Sequence, residues 1–369
     1  MTTELPRITR LAFLTPGNFP DDDPATGLEH TLEVFETGER LGYGGAWVRQ
    51  RHLEHGVSSA VVFLAAASQR TSRIELGTAV IPVGYESPWR LAEDVATADV
   101  LSGGRLQVGL SAGTPPHVEL IGERVFDGDW SGQDFSHARI ERLAENLRSD
   151  YLGDESTVVR SPGNVQRPRL QPRAEGIVDR LWYGAGSWRS TAWAARTGLN
   201  LLSGNIVAGE DSDDFATQQQ LNVRRYREQF VGSRAPRVAL GRVLLPLDGA
   251  DRPTRERYRA YGASRRARTL GPQGERRTLF ARDLVGTSEQ ILEALATDVA
   301  LREAGELRLE LPYELEREDY EQILTDVATT IAPTLGWSPE GTEVPFTGLD
   351  VASPSRVLTP ASPDVVSRP

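Results

Sequence analysis

Four polar residues in succession, Arg49-Gln50-Arg51-His52, follow the short apolar run Gly45–Val48 and bring a fixed cation next to an imidazole. Histidine titrates near neutral pH, so His52 can accept or donate a proton under ordinary conditions. Arg51 stays protonated and cannot serve as a base, but it can stabilise developing negative charge or hold an anionic substrate. A second constellation, Gly184-Ala-Gly-Ser-Trp-Arg-Ser-Thr191, runs from the end of a strand into a helix predicted to begin at Ser187. A helix start exposes backbone N–H groups that have no partner within the helix. Within the run from Gly186 to Thr191, which also includes Trp188, the residues Ser187, Ser190 and Thr191 add hydroxyls and Arg189 adds charge. Together they suit an anion. Ordinary capping by Ser187 accounts for the same residues without any ligand.

Three other motifs fail on their context. Gly109-Leu-Ser-Ala-Gly113 has the form of a hydrolase nucleophile elbow, but such an elbow must lead into a helix and Pro115-Pro116 follow it. The last histidine of the chain, His137, also lies too early for a downstream triad. Gly184-Ala-Gly186 begins like a dinucleotide fingerprint, yet Arg189 stands where the third glycine belongs. His52-Leu-Glu-His55 is not the H-E-x-x-H of a zinc protease, and no third ligand is evident.

The elements that must carry these residues alternate in type. Ile74–Val80 reads as a strand and Pro88–Leu101 as a helix with proline in its first turn. Ser102-Gly103-Gly104 is a helix stop, and Leu106–Leu110 is a second strand. This is a βαβ unit, which implies parallel strands. Further strands are predicted at Arg10–Leu14, Gly45–Val48, Arg180–Tyr183, Leu199–Leu202, Val238–Leu244 and Leu307–Leu311. Helices are predicted at Leu28–Leu41, Ser58–Arg70, His137–Tyr151, Ser187–Arg196, Asp213–Phe230, Ser288–Ala300 and Asp319–Leu335. Eight strands, each followed by a helix, predict an α/β fold of the closed (β/α)8 TIM-barrel type. Insertions follow strands 4 and 7, at Thr114–Ser136 and Pro246–Asp283, and Thr157–Asp179 is irregular. The barrel domain is expected to span residues 1–337. Residues 338–369, rich in proline and serine, are expected to form a disordered or surface-draped extension.

Composition narrows the function. The net charge of −11 argues against a nucleic-acid surface, and no apolar run is long enough for a membrane helix. Without an apolar leader, and with no cysteine, the simplest expectation is a cytoplasmic enzyme without disulfides or thiolate chemistry. All 41 basic residues are arginine, so lysine Schiff-base chemistry is absent.

The run GTAV at 77–80, the proline-started helix and LSGGRLQVGLSAG at 101–113 resemble the bacterial-luciferase-like flavin monooxygenase family. The resemblance continues in Leu41–Val48, Phe63–Thr71, Trp182–Gly198 and Leu284–Leu295, and so covers roughly residues 8 to 337. It implies reduced FMN supplied by a separate flavin reductase, and O2 as the second substrate. One oxygen atom would enter a small organic molecule. The same fold also serves deazaflavin-dependent hydride transfer and non-catalytic flavin binding, and both stand as alternatives. The resemblance puts a non-proline cis peptide at Ala79–Val80 beneath the flavin ring. It puts the flavin phosphate at the Gly186–Thr191 loop, with Ser111 nearby, and implies a homodimer through the second and third helices. Two departures stand out. Ala112, beside Ser111, replaces a phosphate-binding arginine, and Gln50-Arg51-His52 replaces a glutamate followed by two histidines, keeping only the second histidine. Arg51 and His52 are the expected catalytic residues, and no metal is expected.

Overall fold

The computed structural model describes residues 5–313 and 315–339. Most of the expected extension, from residue 340 onward, lies outside the described residues. Eight parallel strands form a closed barrel: β1 (Arg10–Thr15), β2 (Gly45–Val48), β3 (Glu75–Pro82), β4 (Leu106–Ser111), β5 (Leu181–Gly184), β6 (Asn200–Ser203), β7 (Val238–Arg242) and β8 (Glu306–Glu310). Each pairs with its neighbours in sequence, and β8 closes on β1 with Leu11 opposite Leu307.

Alternation along each strand separates two cores. Leu307 and Leu309 of β8 face outward and join a large apolar shell with the helices. The interior holds a much smaller cluster of Ala12, Leu14, Trp47, Ala79, Trp182, Leu202 and Ala239. Trp47 and Trp182 meet edge to face at 5.4 Å. Gly77 is required there, because a Cβ would lie 2.1 Å from the Trp47 ring. Below them, at the N-terminal end, Arg237 donates to both oxygens of Glu75 at 2.9 Å and to Glu306 at 2.8 Å. Arg10 completes this plug, 2.9 Å from Glu75.

The surrounding helices begin with α1 (Pro24–Arg40), α2 (Ala60–Ser68) and α3 (Pro88–Leu101). Gly103 and Gly104, both with positive φ, end α3 where the sequence placed its stop. The first insertion contains α4 (Val118–Val125), and α5 (Ala138–Arg148) follows it. Next come α6 (Trp188–Arg196) and α7 (Phe215–Gln229). The second insertion contains α8 (Arg252–Arg265), and α9 (Ser288–Ala296) and α10 (Arg317–Asp326) complete the ring. Helix α8 buries only Tyr258, so it carries no apolar stripe for the sequence to reveal. The predicted strand Val238–Leu244 divides after Arg242, and Leu244–Pro246 pairs with Leu284–Gly286 outside the barrel. The irregular Thr157–Asp179 segment includes a small hairpin, Val159–Ser161 with Asn164–Gln166. Among the described residues no helix is long and apolar enough to cross a membrane.

Candidate active site

Two hollows open side by side at the C-terminal mouth of the barrel, and Arg49, Ala79 and Val80 belong to both. The Ala79–Val80 peptide bond is cis, at the position implied by the family resemblance. The first hollow adds Gln50, Arg51, His52, Tyr85, Ser111 and His117. The second adds Gly184, Ala185, Gly186, Leu202, Arg308 and Glu310. Arg51, His52, Ala79 and Ser111 are thus brought together as the sequence suggested, with Gly186 across the shared rim. Ser187, Trp188, Arg189, Ser190 and Thr191 lie beyond it and line neither hollow.

Gln50, which the sequence reading treated only as a departure, organises the first hollow. Its Oε1 accepts from the Ala60 amide at 3.1 Å, which fixes which end of the side chain carries hydrogens. Its Nε2 donates to Glu86 at 2.9 Å and lies 3.3 Å from Nε2 of His52. That His52 nitrogen must therefore accept, which leaves the imidazole proton on Nδ1. Burial lowers the His52 pKa below its ordinary value, and the charge of Glu86 opposes this only in part. At pH 7 His52 is a neutral group able to take up a proton. Tyr85 meets its ring edge at 4.9 Å and donates its hydroxyl to the Pro116 carbonyl. Arg51 donates to the Tyr313 hydroxyl at 3.3 Å and lies 3.9 Å from Glu54.

The second hollow holds two cations and one carboxylate. Arg49, at the end of β2, donates to Glu310 at 3.1 Å, and Arg308, one inward-facing position below Glu310, approaches it only to 3.9 Å. The carboxylate fits because Gly241 and Gly204 lack side chains; a Cβ on either would lie 2.0 Å or 2.8 Å from Glu310 Oε1. Arg308 is 3% exposed and rests over Trp47. Its Nε and Nη1, and the Nε of Arg49, are buried without a hydrogen-bond partner.

At the start of α6, Ser187 and Ser190 cap the helix reciprocally. The Ser187 amide donates to Ser190 Oγ at 3.1 Å, and the Ser190 amide donates to Ser187 Oγ at 3.3 Å. The next free amide, that of Trp188, donates to the Glu210 carboxylate at 2.6 Å. A protein carboxylate thus takes a place at the helix start that was expected to receive an anion. Arg189 is exposed and makes no ion pair with any described carboxylate. It lies near His137, which stacks on Trp193 and is hydrogen-bonded to Tyr183 at 2.8 Å. Burial, and then the charge of Arg189, lower the His137 pKa.

A closed parallel barrel with a polar, partly unsatisfied C-terminal mouth is the architecture of a (β/α)8 enzyme. The chain belongs to the luciferase-like monooxygenase family, which matches residues 9–305 and whose members are flavin-dependent oxidoreductases. Over 112 residues it is 38% identical to 4-hydroxyprotoasukamycin monooxygenase of Streptomyces nodosus subsp. asukaensis, a match spanning 30% of each chain. It is 25% identical over 304 residues to the FMNH2-dependent dimethylsulfone monooxygenase of Pseudomonas fluorescens (strain Pf0-1), covering 76% of this chain and 80% of the relative. Among solved structures, apo-MsnO8 shares the fold with a TM-score of 0.66 and 20% identity, over 90% of this chain and 99% of that one.

Arg308 and Glu310 went unnoticed in the sequence, although a signal existed. In Glu306-Leu-Arg-Leu-Glu310 charged residues alternate with leucines, and in a barrel strand the alternate positions point inside. Glu86, Tyr85, Tyr313 and Glu210 had no comparable signal, because each reaches the site from a loop or short turn distant in sequence.

Proposed function

We propose that the protein is the oxygenase of a two-component flavin-dependent monooxygenase, acting on a small organic substrate. The observation that carries this reading is the pair of hollows sharing the Ala79–Val80 rim: both carry guanidinium groups, and only the first adds a neutral histidine, His52. Such a mouth can accept a flat cofactor on one side and a substrate on the other. The orphaned N–H groups of Arg308 and Arg49, and the small rim residues Ala79, Gly184 and Gly186, fit a flavin ring with several acceptors. When bound, reduced FMN supplies the two electrons that split O2, one atom entering the substrate and the other leaving as water.

In this reading Ala79 and Ser111 border the ring. The phosphate lies at the start of α6, held by the Ser187 to Thr191 segment and Arg189, and Glu210 must give way to it. Arg51, oriented by Tyr313, offsets negative charge arising during the oxygen chemistry. His52, whose Nε2 is engaged by the Gln50 amide, keeps its proton on Nδ1 and acts from there as a proton donor. The barrel interior, blocked by Trp47 and Trp182, keeps water from entering from below. A reductase partner is supported by a relative named as the oxygenase component of a flavin-dependent trigonelline monooxygenase. A homodimer through α2 and α3 is supported by exposed Val62, Val100 and Leu101 on those helices, and sedimentation with Val62→Arg would test it.

Deazaflavin-dependent hydride transfer is the second reading, since an F420-dependent secondary alcohol dehydrogenase has the same fold at a TM-score of 0.60. Stopped mixing of the protein and reduced FMN with oxygen, with and without a panel of small organic substrates, separates the two. Oxygenated product supports the monooxygenase. Oxidation of alcohols with reduction of deazaflavin, and no oxygenated product, overturns it.

A further inference from the structure

We propose that a third hollow, on the outside of the barrel between α7, α9 and the second insertion, binds a small aromatic anion such as an aryl carboxylate. It is separate from the mouth, and the proposal does not depend on the flavin reading above.

Three observations carry it. The hollow has a volume of about 810 Å³, within the range of small-molecule sites, and it shares no lining residue with the two hollows of the mouth. A wall divides them: Phe280, which lines this hollow, pairs with Ile206, which lines the second hollow of the mouth. The Ala281 amide closes that wall by donating to the Asn205 carbonyl at 2.9 Å. Second, the acidic groups of the hollow are committed and two of its cations are not. Asp298 accepts from Arg242 at 2.7 Å, Asp213 pairs with Arg277, and Asp214 accepts from the Thr217 amide at 2.8 Å to cap α7. Arg266 and Arg282 line the hollow, are exposed, and make no side-chain hydrogen bond or ion pair among the described residues. They belong to an insertion, Pro246–Asp283, that holds ten arginines against five acidic residues in a chain of net charge −11. Burial, and next the charge of Arg265, lower the pKa of the neighbouring Arg268, which Asp283 only partly opposes, so positive charge here is under-compensated. Third, apolar surface lies beside the free cations. Phe215, Phe280 and Leu284 line the hollow, and Leu270 at its edge is left 77% exposed.

The two kinds of surface call for two parts of one ligand. A guanidinium presents N–H donors in a plane that matches a carboxylate, while exposed leucine and phenylalanine gain from being covered by a ring. An inorganic anion would use the cations and leave the apolar surface wet. A neutral arene would cover that surface and leave Arg266 and Arg282 without a counter-charge. Only a molecule with both parts satisfies the whole hollow.

The test is calorimetric titration of the full chain with 2-naphthoate, with uncharged 2-naphthamide and with inorganic phosphate. The wild type is expected to bind 2-naphthoate about tenfold more tightly than either of the others. Arg266→Gln combined with Arg282→Gln should weaken 2-naphthoate about tenfold, to the level of 2-naphthamide. Both positions are exposed, so the melting temperature of this double variant should equal that of the wild type. Leu270→Ser should weaken 2-naphthoate and leave phosphate unchanged, and Arg51→Gln, at the mouth, should leave 2-naphthoate binding as it is. Absence of 2-naphthoate binding, or equal affinity for 2-naphthamide or phosphate, overturns the proposal. So does a loss of binding that follows Arg51→Gln and not the double variant, because the anion would then sit in the mouth.

Discussion

The barrel interior carries arginine and glutamate at both ends, and the two ends treat them differently. At the N-terminal plug Arg10 and Arg237 face Glu75 and Glu306, charge for charge, with Arg237 making three hydrogen bonds of 2.8–2.9 Å although its Nε, too, is buried without a partner. At the C-terminal mouth Arg49 and Arg308 share Glu310 alone, at 3.1 Å and 3.9 Å, and leave N–H groups open. Removing a partner from a charge-matched buried network is costly, whereas an unbalanced group has already lost that stabilisation. The plug therefore stabilises the barrel, whereas the mouth contributes less to stability and carries an excess positive charge.

Breaking the plug should have the largest effect. Glu306→Ala would leave two arginines against one glutamate, reproducing at the bottom the imbalance found at the top. The expected loss is about 3–5 kcal/mol in urea denaturation. FMN affinity of the variant that still folds should stay within a few-fold of the parent, and a larger change would show that the ends are coupled.

Next come the residues of the first hollow. His52→Ala should lower turnover by about 100-fold, in the range for loss of a positioned acid–base group, with oxidised FMN affinity kept within a few-fold. Gln50→Leu should reproduce part of this loss by freeing the His52 imidazole from its fixed tautomer. Parental turnover in both variants would mean that the hollow is a solvated loop and nothing more.

At the start of α6 the expected changes are smaller and opposite in sign. Ser187→Ala with Arg189→Ala should weaken FMN binding about tenfold while changing riboflavin binding little. Glu210→Gln should tighten FMN several-fold, because a like charge no longer competes for the Trp188 amide. Fluorescence titration with both flavins reads each; equal changes for the two ligands would place the phosphate elsewhere.

The smallest effect concerns pH. His52 and His137 both have pKa values lowered by burial, so the unfolded chain binds protons more readily than the folded one. Their contribution to stability is complete above the ordinary histidine pKa of about 6.5 and is lost as pH falls through the lowered folded values. Melting temperatures of the His52→Gln, His137→Gln double variant should decline less between pH 7 and 5 than those of the parent.

Much of this architecture was legible in the sequence because its signals are local. Strand alternation, the proline opening α3 and the Gly103-Gly104 stop depend on residues a few positions apart, and they placed all eight barrel strands. The GTAV run placed the Ala79–Val80 rim through resemblance, and the polar loop after β2 placed Arg51 and His52. Helix α8 escaped because its surface is arginine-rich and it fully buries a single tyrosine.

What the sequence could not determine is which charges remain unpaid by partners. Arginine stands at every Lys/Arg position of this chain, so residue type alone does not separate Arg237, with three short bonds to carboxylates, from Arg308, with two idle N–H groups. Nor does it show that Gln50, pinned by Ala60 and Glu86, sets the His52 tautomer, or that Glu210 caps α6 from 22 positions away. Those distinctions arise when closure of the barrel brings distant residues within a few ångströms. Pairing and desolvation fall off steeply with distance, so only the folded arrangement decides which groups are satisfied and which are left for a ligand.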